Sequence, residues 1–257
     1  MEPVKTALTI AGSDPSGGAG LQADLRTFRA MGVYGLCIPA ALTAQNTLGV
    51  QHVHELPAGF VSEQIAVLVQ DIRPDAVKTG MLYTADTVRA VAERIREFSL
   101  EKLVVDPVTV SSTGVLLMED GVLEAVRRYL FPLSTVITPN TYEASVLTGI
   151  DIKDERDLRE TAVKLREFGP RAVIITGGHL KGRAVDLLFD GEGFSSLENE
   201  MLGGEYHGTG CVFSSSLTAC LALGLDIKKA FAKAKDFTFN AMKSAVTVGR
   251  GMKVLDV

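Results

Sequence analysis

The sequence predicts an α/β domain built on a mainly parallel sheet with helices on both faces. Three observations carry this expectation. Short apolar runs of strand character alternate with segments whose apolar residues recur at helical spacing, the pattern of βαβ units. No Pro/Ser-rich linker, low-complexity tract or short repeat interrupts the alternation. Motifs rich in Gly, Asp and Asn follow several strands, where sheets of this kind collect ligands. Because motifs from both ends of the chain read as parts of one site, a single domain over residues 1–257 is expected.

The elements follow in order. Thr6 to Ala11 reads as a buried strand, and Leu21, Leu25 and Phe28 mark one face of a helix that stops at Gly32. Val33 to Leu42 suits a second strand. Ile65, Leu68, Val69 and Ile72 recur at helical spacing before an extended Ala76-Val77-Lys78. Val88, Val91, Ile95 and Phe98 form an amphipathic face ahead of the strand Leu103-Val104-Val105. Further strands are predicted at 135–138, 172–176 and 185–189, and two closing helices at about 211–223 and 227–246.

Composition removes several function classes. Hydrophobic residues make up 46% of the 257, enough for a sizeable core. The net charge of −5 and the lack of any Lys/Arg run argue against nucleic acid. Met1 to Lys5 has no secretory pattern, and no apolar run is long enough for a bilayer. Three cysteines, Cys37, Cys211 and Cys220, are an odd set without CxxC spacing, which disfavours disulfides and zinc. A reducing cytoplasm is the expected setting.

The strongest local motif is His207-Gly208-Thr209-Gly210-Cys211, which opens an apolar helical run. Gly208 and Gly210 let successive N–H groups converge, and the helix adds the positive end of its dipole, so the turn suits a phosphate. Cys211 at the helix start would have its thiolate favoured and could act as a base toward a hydroxyl. An ordinary Gly-rich helix entry with a packed cysteine explains the residues equally well. Cys220, nine residues on, faces the other way and reads as core.

The loop Gly12-Ser13-Asp14-Pro15-Ser16-Gly17-Gly18-Ala19-Gly20 fits neither GxGxxG nor GxxxxGK[ST], yet its glycines permit close backbone approach to a ligand. Asp24, just inside the next helix, could accept a bond from a substrate hydroxyl or amine. Read alone, it is better explained as a first-turn carboxylate complementing the dipole. Thr43-Ala44-Gln45-Asn46-Thr47 is expected as a loop after its strand. Gln45 offers the donor and acceptor that an aminopyrimidine edge needs, although a self-satisfied polar turn explains it better in isolation. Asp106 ends a strand, and Thr138-Pro139-Asn140-Thr141-Tyr142-Glu143 opens a helix after another. Strand-end carboxylates such as Asp106 and Glu143 can hold Mg²⁺ beside nucleotide phosphates, while Asn140 and Glu143 also have capping-box spacing. His179, in a turn after a strand, is given no catalytic role.

Taken together, AGSDPSGGAGLQADLRTF, ALTAQNTLGVQ, VKTGML, VVDPV, TPNTYEA, TGGHL and HGTGC resemble the hydroxymethylpyrimidine/phosphomethylpyrimidine kinases of thiamine biosynthesis, over about residues 8–246. The resemblance implies a ribokinase-like, three-layer αβα sandwich. It also implies an activity, MgATP-dependent phosphorylation of 4-amino-5-hydroxymethyl-2-methylpyrimidine and then of its monophosphate in the same site. It assigns Gln45, Asp24 and Met81 to the pyrimidine pocket, with Gly12 in the adjoining loop, and Cys211 to the base. Gly208 and Gly210 fall in the anion hole, with Thr209 between them. Asp106 and Glu143 are assigned to Mg²⁺, and Asn140 and Thr176 to the ATP phosphates. Relatives often pair as homodimers, though no residue here specifies one.

Three positions depart from the family pattern. Thr176 stands where many relatives have a lysine, Ser111-Ser112-Thr113-Gly114 replaces the usual AKSG or ATSG, and Gly249-Arg250-Gly251-Met252 replaces GxGP. The nearest alternative is a pyridoxal or pyridoxine kinase. A pyrimidine-binding sensor without catalysis is the alternative from another class, and a generic sugar kinase is disfavoured by Cys211 in place of Asp.

Overall fold

The computed structural model describes residues 4–109, 117–180 and 183–257; Ser111 to Gly114 lie outside them. The first half of the chain runs β1 (Thr6–Ser13), α1 (Gly20–Ala30), β2 (Tyr34–Asn46), β3 (Gly49–Glu55), α2 (Ala58–Asp71), β4 (Ala76–Thr79), α3 (Ala85–Glu97) and β5 (Leu103–Val105). It continues with α4 (Val122–Ala125), β6 (Val136–Ile137), α5 (Thr141–Thr148), α6 (Glu155–Glu167), β7 (Ala172–Leu180), β8 (Arg183–Phe189) and β9 (Phe194–Asn199). The last elements are β10 (Tyr206–His207), α7 (Thr209–Ala222), α8 (Ile227–Lys243) and β11 (Lys253–Val254).

Nine strands form one sheet in the order β3-β2-β1-β4-β5-β6-β7-β8-β9. The six from β2 to β7 are parallel, while β3 at one edge and β8 near the other run against them, and β9, paired antiparallel with β8, runs with them again. The period-2 alternation of strand side chains divides the interior into two cores. Leu8, Ile10, Val77, Leu103, Val105, Ile137, Val173 and Ile175 pack on α2 to α6. Their neighbours Ala7, Ala76, Val104, Val136, Ala172 and Ile174 pack on α1, α7 and α8. Each fully buried Leu, Ile or Val contributes roughly 1.5–3 kcal/mol, so both faces hold the sheet between helices. The expected three-layer αβα sandwich is what the chain forms. Cys220 is fully buried in the second core.

Some boundaries differ from expectation. β2 continues through Asn46, so Gln45 lies in a strand rather than a loop. The extension is held by antiparallel pairing with β3, whose Gln51, His52, His54 and Glu55 are exposed and gave no apolar signal. Register shifts fall at Ala11/Gly12, Ala44/Gln45 and Ile175/Gly178, all toward one end of the sheet. Such bulges re-aim side chains and twist strands apart, and here they open that end. The C-terminal segment closes over the β2–β3 turn. Met252 N donates to Thr47 O at 3.0 Å, Gly251 N to Thr47 Oγ1 at 3.2 Å, and β11 pairs with β10 through His207 and Val254. Among the described residues, no helix is long and apolar enough to cross a membrane.

Candidate active site

A cavity of about 700 Å³ lies where the parallel strands end and α7 begins. Every residue predicted for the site lines it except Asp24. Gly12, Gln45 and Met81 lie toward one end of the chain's motif set, and Asp106, Asn140, Glu143 and Thr176 come from the strand ends β5 to β7. The Gly208 to Cys211 turn supplies the third contribution.

The turn is shaped by its backbone. Gly208 caps α7 at φ 88° with no side-chain cap, and the first intrahelical bond is Val212 N to Gly208 O at 2.9 Å. The amides before Val212 therefore have no intrahelical acceptor, the usual condition at a helix N-terminus. A Cβ on Gly208 would lie 1.9 Å from Gly18 O, whereas one on Gly210 would meet nothing within 4 Å. Gly208 is required by the neighbouring loop; Gly210 keeps the approach to the turn open.

Beneath the turn lies a buried ion pair: Asp24, expected at the pocket, and Lys78, read from sequence only as part of its strand. Asp24 is fully buried under the floor, with both oxygens on Lys78 Nζ and Oδ2 also accepting from Thr9 Oγ1 at 2.6 Å. A substrate in the cavity cannot reach it, because α1 turns this face toward β1 rather than toward the cavity. Lys78 carries no apolar-pattern signal, and a charged residue in a strand is ordinarily read as exposed. Burial opposes its charge, but Asp24, Cys211 and Asp106 more than offset this and raise its pKa.

Cys211 corrects the expectation of a favoured thiolate. Burial pushes its thiol up to about 12, and the attraction of Lys78 does not overcome the added repulsion of Asp24 and Asp106. The helix dipole is outweighed by desolvation.

The carboxylates lie on the next strand ends. Asp106 Oδ2 accepts from Ser214 Oγ at 2.9 Å. Glu143 and Asn140 form a full capping box at the start of α5, with bonds of 3.0 Å from Asn140 N and 2.9 Å from Glu143 N, and Glu143 Oε1 also accepts from Thr109 N at 3.2 Å. Burial raises both carboxyls, and the charge of Asp106 helps push Glu143 up to about 8. Two hard-oxygen groups that resist ionisation together fit a divalent cation carried on phosphates, which needs only one or two protein carboxylates. Among the described residues there is no cluster of three or more ligating side chains. Thr176 is set at the rim by Thr176 N to Pro139 O at 3.0 Å and a bridge to Asn140.

The opposite wall is apolar. Met81 packs with Ala41 and Leu117, and against Val50 and Val108. A Cβ on Gly12 would lie 2.9 Å from Met81 Cε, so glycine there leaves room for the methionine. On this wall the Gln45 amide lies 3.0 Å from His207 Nε2 and 3.1 Å from Thr43 Oγ1. His207 Nε2 is 2.8 Å from Asp14 Oδ2. Burial alone would raise Asp14, but bonds from His207 and Ser16 hold it below the usual carboxylate range. Sequence reasoning gave Asp14 and His207 no roles of their own; they are 193 residues apart.

Helix-start amides and buried carboxylates lining one cavity with an apolar wall, at the ends of the parallel strands of this sheet, are the geometry of small-molecule kinases of the ribokinase-like class. Within that class the chain belongs to the phosphomethylpyrimidine kinase family, whose model matches residues 14–256. It is 43% identical over 248 residues to the hydroxymethylpyrimidine/phosphomethylpyrimidine kinase of Bacillus subtilis, covering 95% of this chain and 92% of that one. It is 44% identical over 251 residues to the thiamine biosynthesis bifunctional protein ThiED of Geobacter sulfurreducens. There it covers 97% of this chain and spans about half, 51%, of that longer protein. Among solved structures, an ADP complex of Bacillus subtilis pyridoxal kinase superposes with a TM-score of 0.90 at 41% identity, covering 98% and 96% of the two chains. The phosphomethylpyrimidine kinase of Clostridium difficile 630 gives 0.83 at 40%, covering 93% and 99%.

Proposed function

We propose that this chain transfers the γ-phosphoryl of ATP to the hydroxymethyl group of 4-amino-5-hydroxymethyl-2-methylpyrimidine, and then to the resulting monophosphate in the same site. The observation that carries this reading is one cavity with two unlike walls. Gln45, Met81 and Gly12 form a wall suited to a flat polar-edged ring, and the Gly208 to Cys211 amides form one suited to a transferring phosphoryl.

In-line phosphoryl transfer asks little covalent chemistry of a protein; positioning and electrostatics supply most of the rate. Gln45 holds the ring edge, and Met81 packs on its face. The amides of Thr209, Gly210 and Cys211 accept the charge that spreads over the phosphoryl oxygens. Lys78, held by Asp24, adds positive potential from below. Asn140 and Thr176 lie along the path of the ATP phosphates. Asp106 and Glu143 are the groups to hold Mg²⁺, which when bound neutralises charge on the β- and γ-phosphates. With its thiol up near 12, Cys211 contributes more through its backbone amide and shape than as a resting base.

A vitamin B6 kinase is the second reading, favoured by the close superposition on pyridoxal kinases, including one from Staphylococcus aureus in complex with pyridoxal (TM-score 0.90, 35% identity, covering 99% of this chain and 93% of that one). A coupled ADP-release assay with MgATP and each of the pyrimidine alcohol, its monophosphate and pyridoxal decides between them. Faster turnover of both pyrimidines is expected. A clear preference for pyridoxal would overturn the substrate, and no ADP release with any of the three would leave a sensor.

A further inference from the structure

The protons around Gln45 can be counted. One end of the Gln45 amide lies 3.0 Å from His207 Nε2 and the other 3.1 Å from Thr43 Oγ1. The two ends of an amide are alike in size, so hydrogen bonding alone decides which end faces which neighbour. Asp14 is buried and accepts from the Ser16 and Ala19 amides and the Ser16 hydroxyl. An ionised carboxylate brings no proton, so the proton of its 2.8 Å contact with His207 sits on Nε2. His207 Nδ1 is buried without a partner, which suits a bare lone pair better than a second N–H.

The one proton on Nε2 is directed to Asp14, so Nε2 keeps no lone pair for an amide N–H; a carbonyl oxygen at that distance instead shares the proton in a three-centre bond. The other end gives the same answer independently. Thr43 Oγ1 has one proton, and the Ser13 carbonyl takes it at 2.9 Å. The Gln45 group beside Thr43 must then donate, so it is the NH₂. Both ends are settled together, in the orientation that removes the donor-against-donor contact at His207 and gives the free Thr43 Oγ1 lone pair a donor.

We propose that His207 and Thr43 are positioning residues that lock the Gln45 amide with its carbonyl toward His207 and its NH₂ toward Thr43. The remaining lone pair and N–H face the cavity in a fixed order. The site then accepts a ring edge bearing an exocyclic amine beside an unprotonated ring nitrogen. It refuses the edge in which a carbonyl sits beside a ring N–H. An amide free to turn would take either edge by rotating half a turn. The inference rests on the reading of Gln45 as the group that meets the ring edge.

The test compares kcat and KM, with MgATP, for 5-hydroxymethyl-2-methylpyrimidine bearing a 4-amino or a 4-oxo group. The proteins are the unaltered enzyme, Thr43→Val, His207→Leu and His207→Gln. The unaltered enzyme is expected to prefer the amino ring strongly, since a site built on paired hydrogen bonds rejects a mismatched partner. In Thr43→Val and His207→Leu that preference is expected to fall at least about tenfold, mainly through KM. His207→Gln, whose amide again offers N–H donors to Asp14 and Gln45, is expected to keep it. Thermal melts report whether His207→Leu folds; if it does not, Thr43→Val, which removes only the hydroxyl, carries the test. A preference unchanged in Thr43→Val, or equal losses on both rings, overturns the inference while leaving the proposed function intact. Turnover of neither ring by the unaltered enzyme overturns the function, and the inference with it.

Discussion

Lys78 Nζ lies 2.8 and 2.9 Å from the two carboxylate oxygens of Asp24, and neither side chain is exposed to solvent. The pair fixes a cation directly under the cavity floor. It also holds α1 to β4 across β1, with Thr9 Oγ1 closing the third contact. Removing one partner would strand a buried charge.

Asp24→Asn is therefore expected to destabilise the fold by about 3–5 kcal/mol in urea titrations. Adding Lys78→Met should recover part of that loss. The raised pKa of Lys78 contributes stability in full below the unfolded value of about 10.4 and loses it only as pH climbs above that. The contribution of Lys78 to the stability of the unaltered protein should accordingly be flat from pH 6 to 9. In Asp24→Asn, burial without the carboxylate favours the neutral amine, so the cost of the substitution should shrink as pH rises. A double variant no more stable than Asp24→Asn would mean the pair is not the origin of the loss.

Cys211→Ala tests the thiol. A group up near 12 is protonated at neutral pH, so kcat is expected to fall by less than about 10²-fold, the lower edge of a general base's contribution. A larger fall, with a new dependence on pH in the kcat profile, would restore the base role.

Two glycines of the same turn should respond in opposite ways. Gly208→Ala places a methyl against Gly18 O on a left-handed backbone, which alone costs on the order of 1–3 kcal/mol. Its melting temperature should drop. Gly210→Ala lies inside α7 with open space around it and gains up to about 1 kcal/mol of helix propensity. It should melt no lower than the unaltered protein, yet lose more kcat than Cys211→Ala because the methyl enters the phosphoryl's approach.

Glu143 gives a pH prediction. Its carboxyl is raised to about 8 against about 4.3 in an unfolded chain, so between these values the folded state keeps a proton that unfolding releases. Stability falls as pH rises through that window. Glu143→Gln has no such proton and retains a capping-box residue, at the expense of one of the two backbone acceptors. Its stability–pH curve from 4.5 to 8, read by urea titration at each pH, should be flatter. Parallel curves would show that Glu143 is not the titrating group.

The sequence carried the central layer well because parallel strands buried on both faces are continuous apolar runs, as at Leu103-Val104-Val105. It did not show β3, whose exposed polar residues are held by backbone pairing to β2 alone. Gly208, Gln45 and Glu143 stood out because turns, amides and strand-end carboxylates have local signatures. Lys78 did not, because only its distant partner Asp24 makes a buried lysine tolerable. Asp14 and His207 were invisible as a pair for the same reason, and Asp24 was misplaced because spacing along a helix does not say which layer its face meets.

The chain's final residues have a quieter consequence. Val254 stands in register with His207, and Gly251 and Met252 grip Thr47 two residues beyond Gln45. Gly251→Ala, whose Cβ would lie 1.9 Å from Thr47 O, would thus loosen the wall that carries Gln45 from behind while leaving the buried Leu255 in place. Affinity for the proposed ring should decline while helical content, measured on the same sample, holds steady. The tail is a keystone for recognition, set outside the room whose shape it maintains.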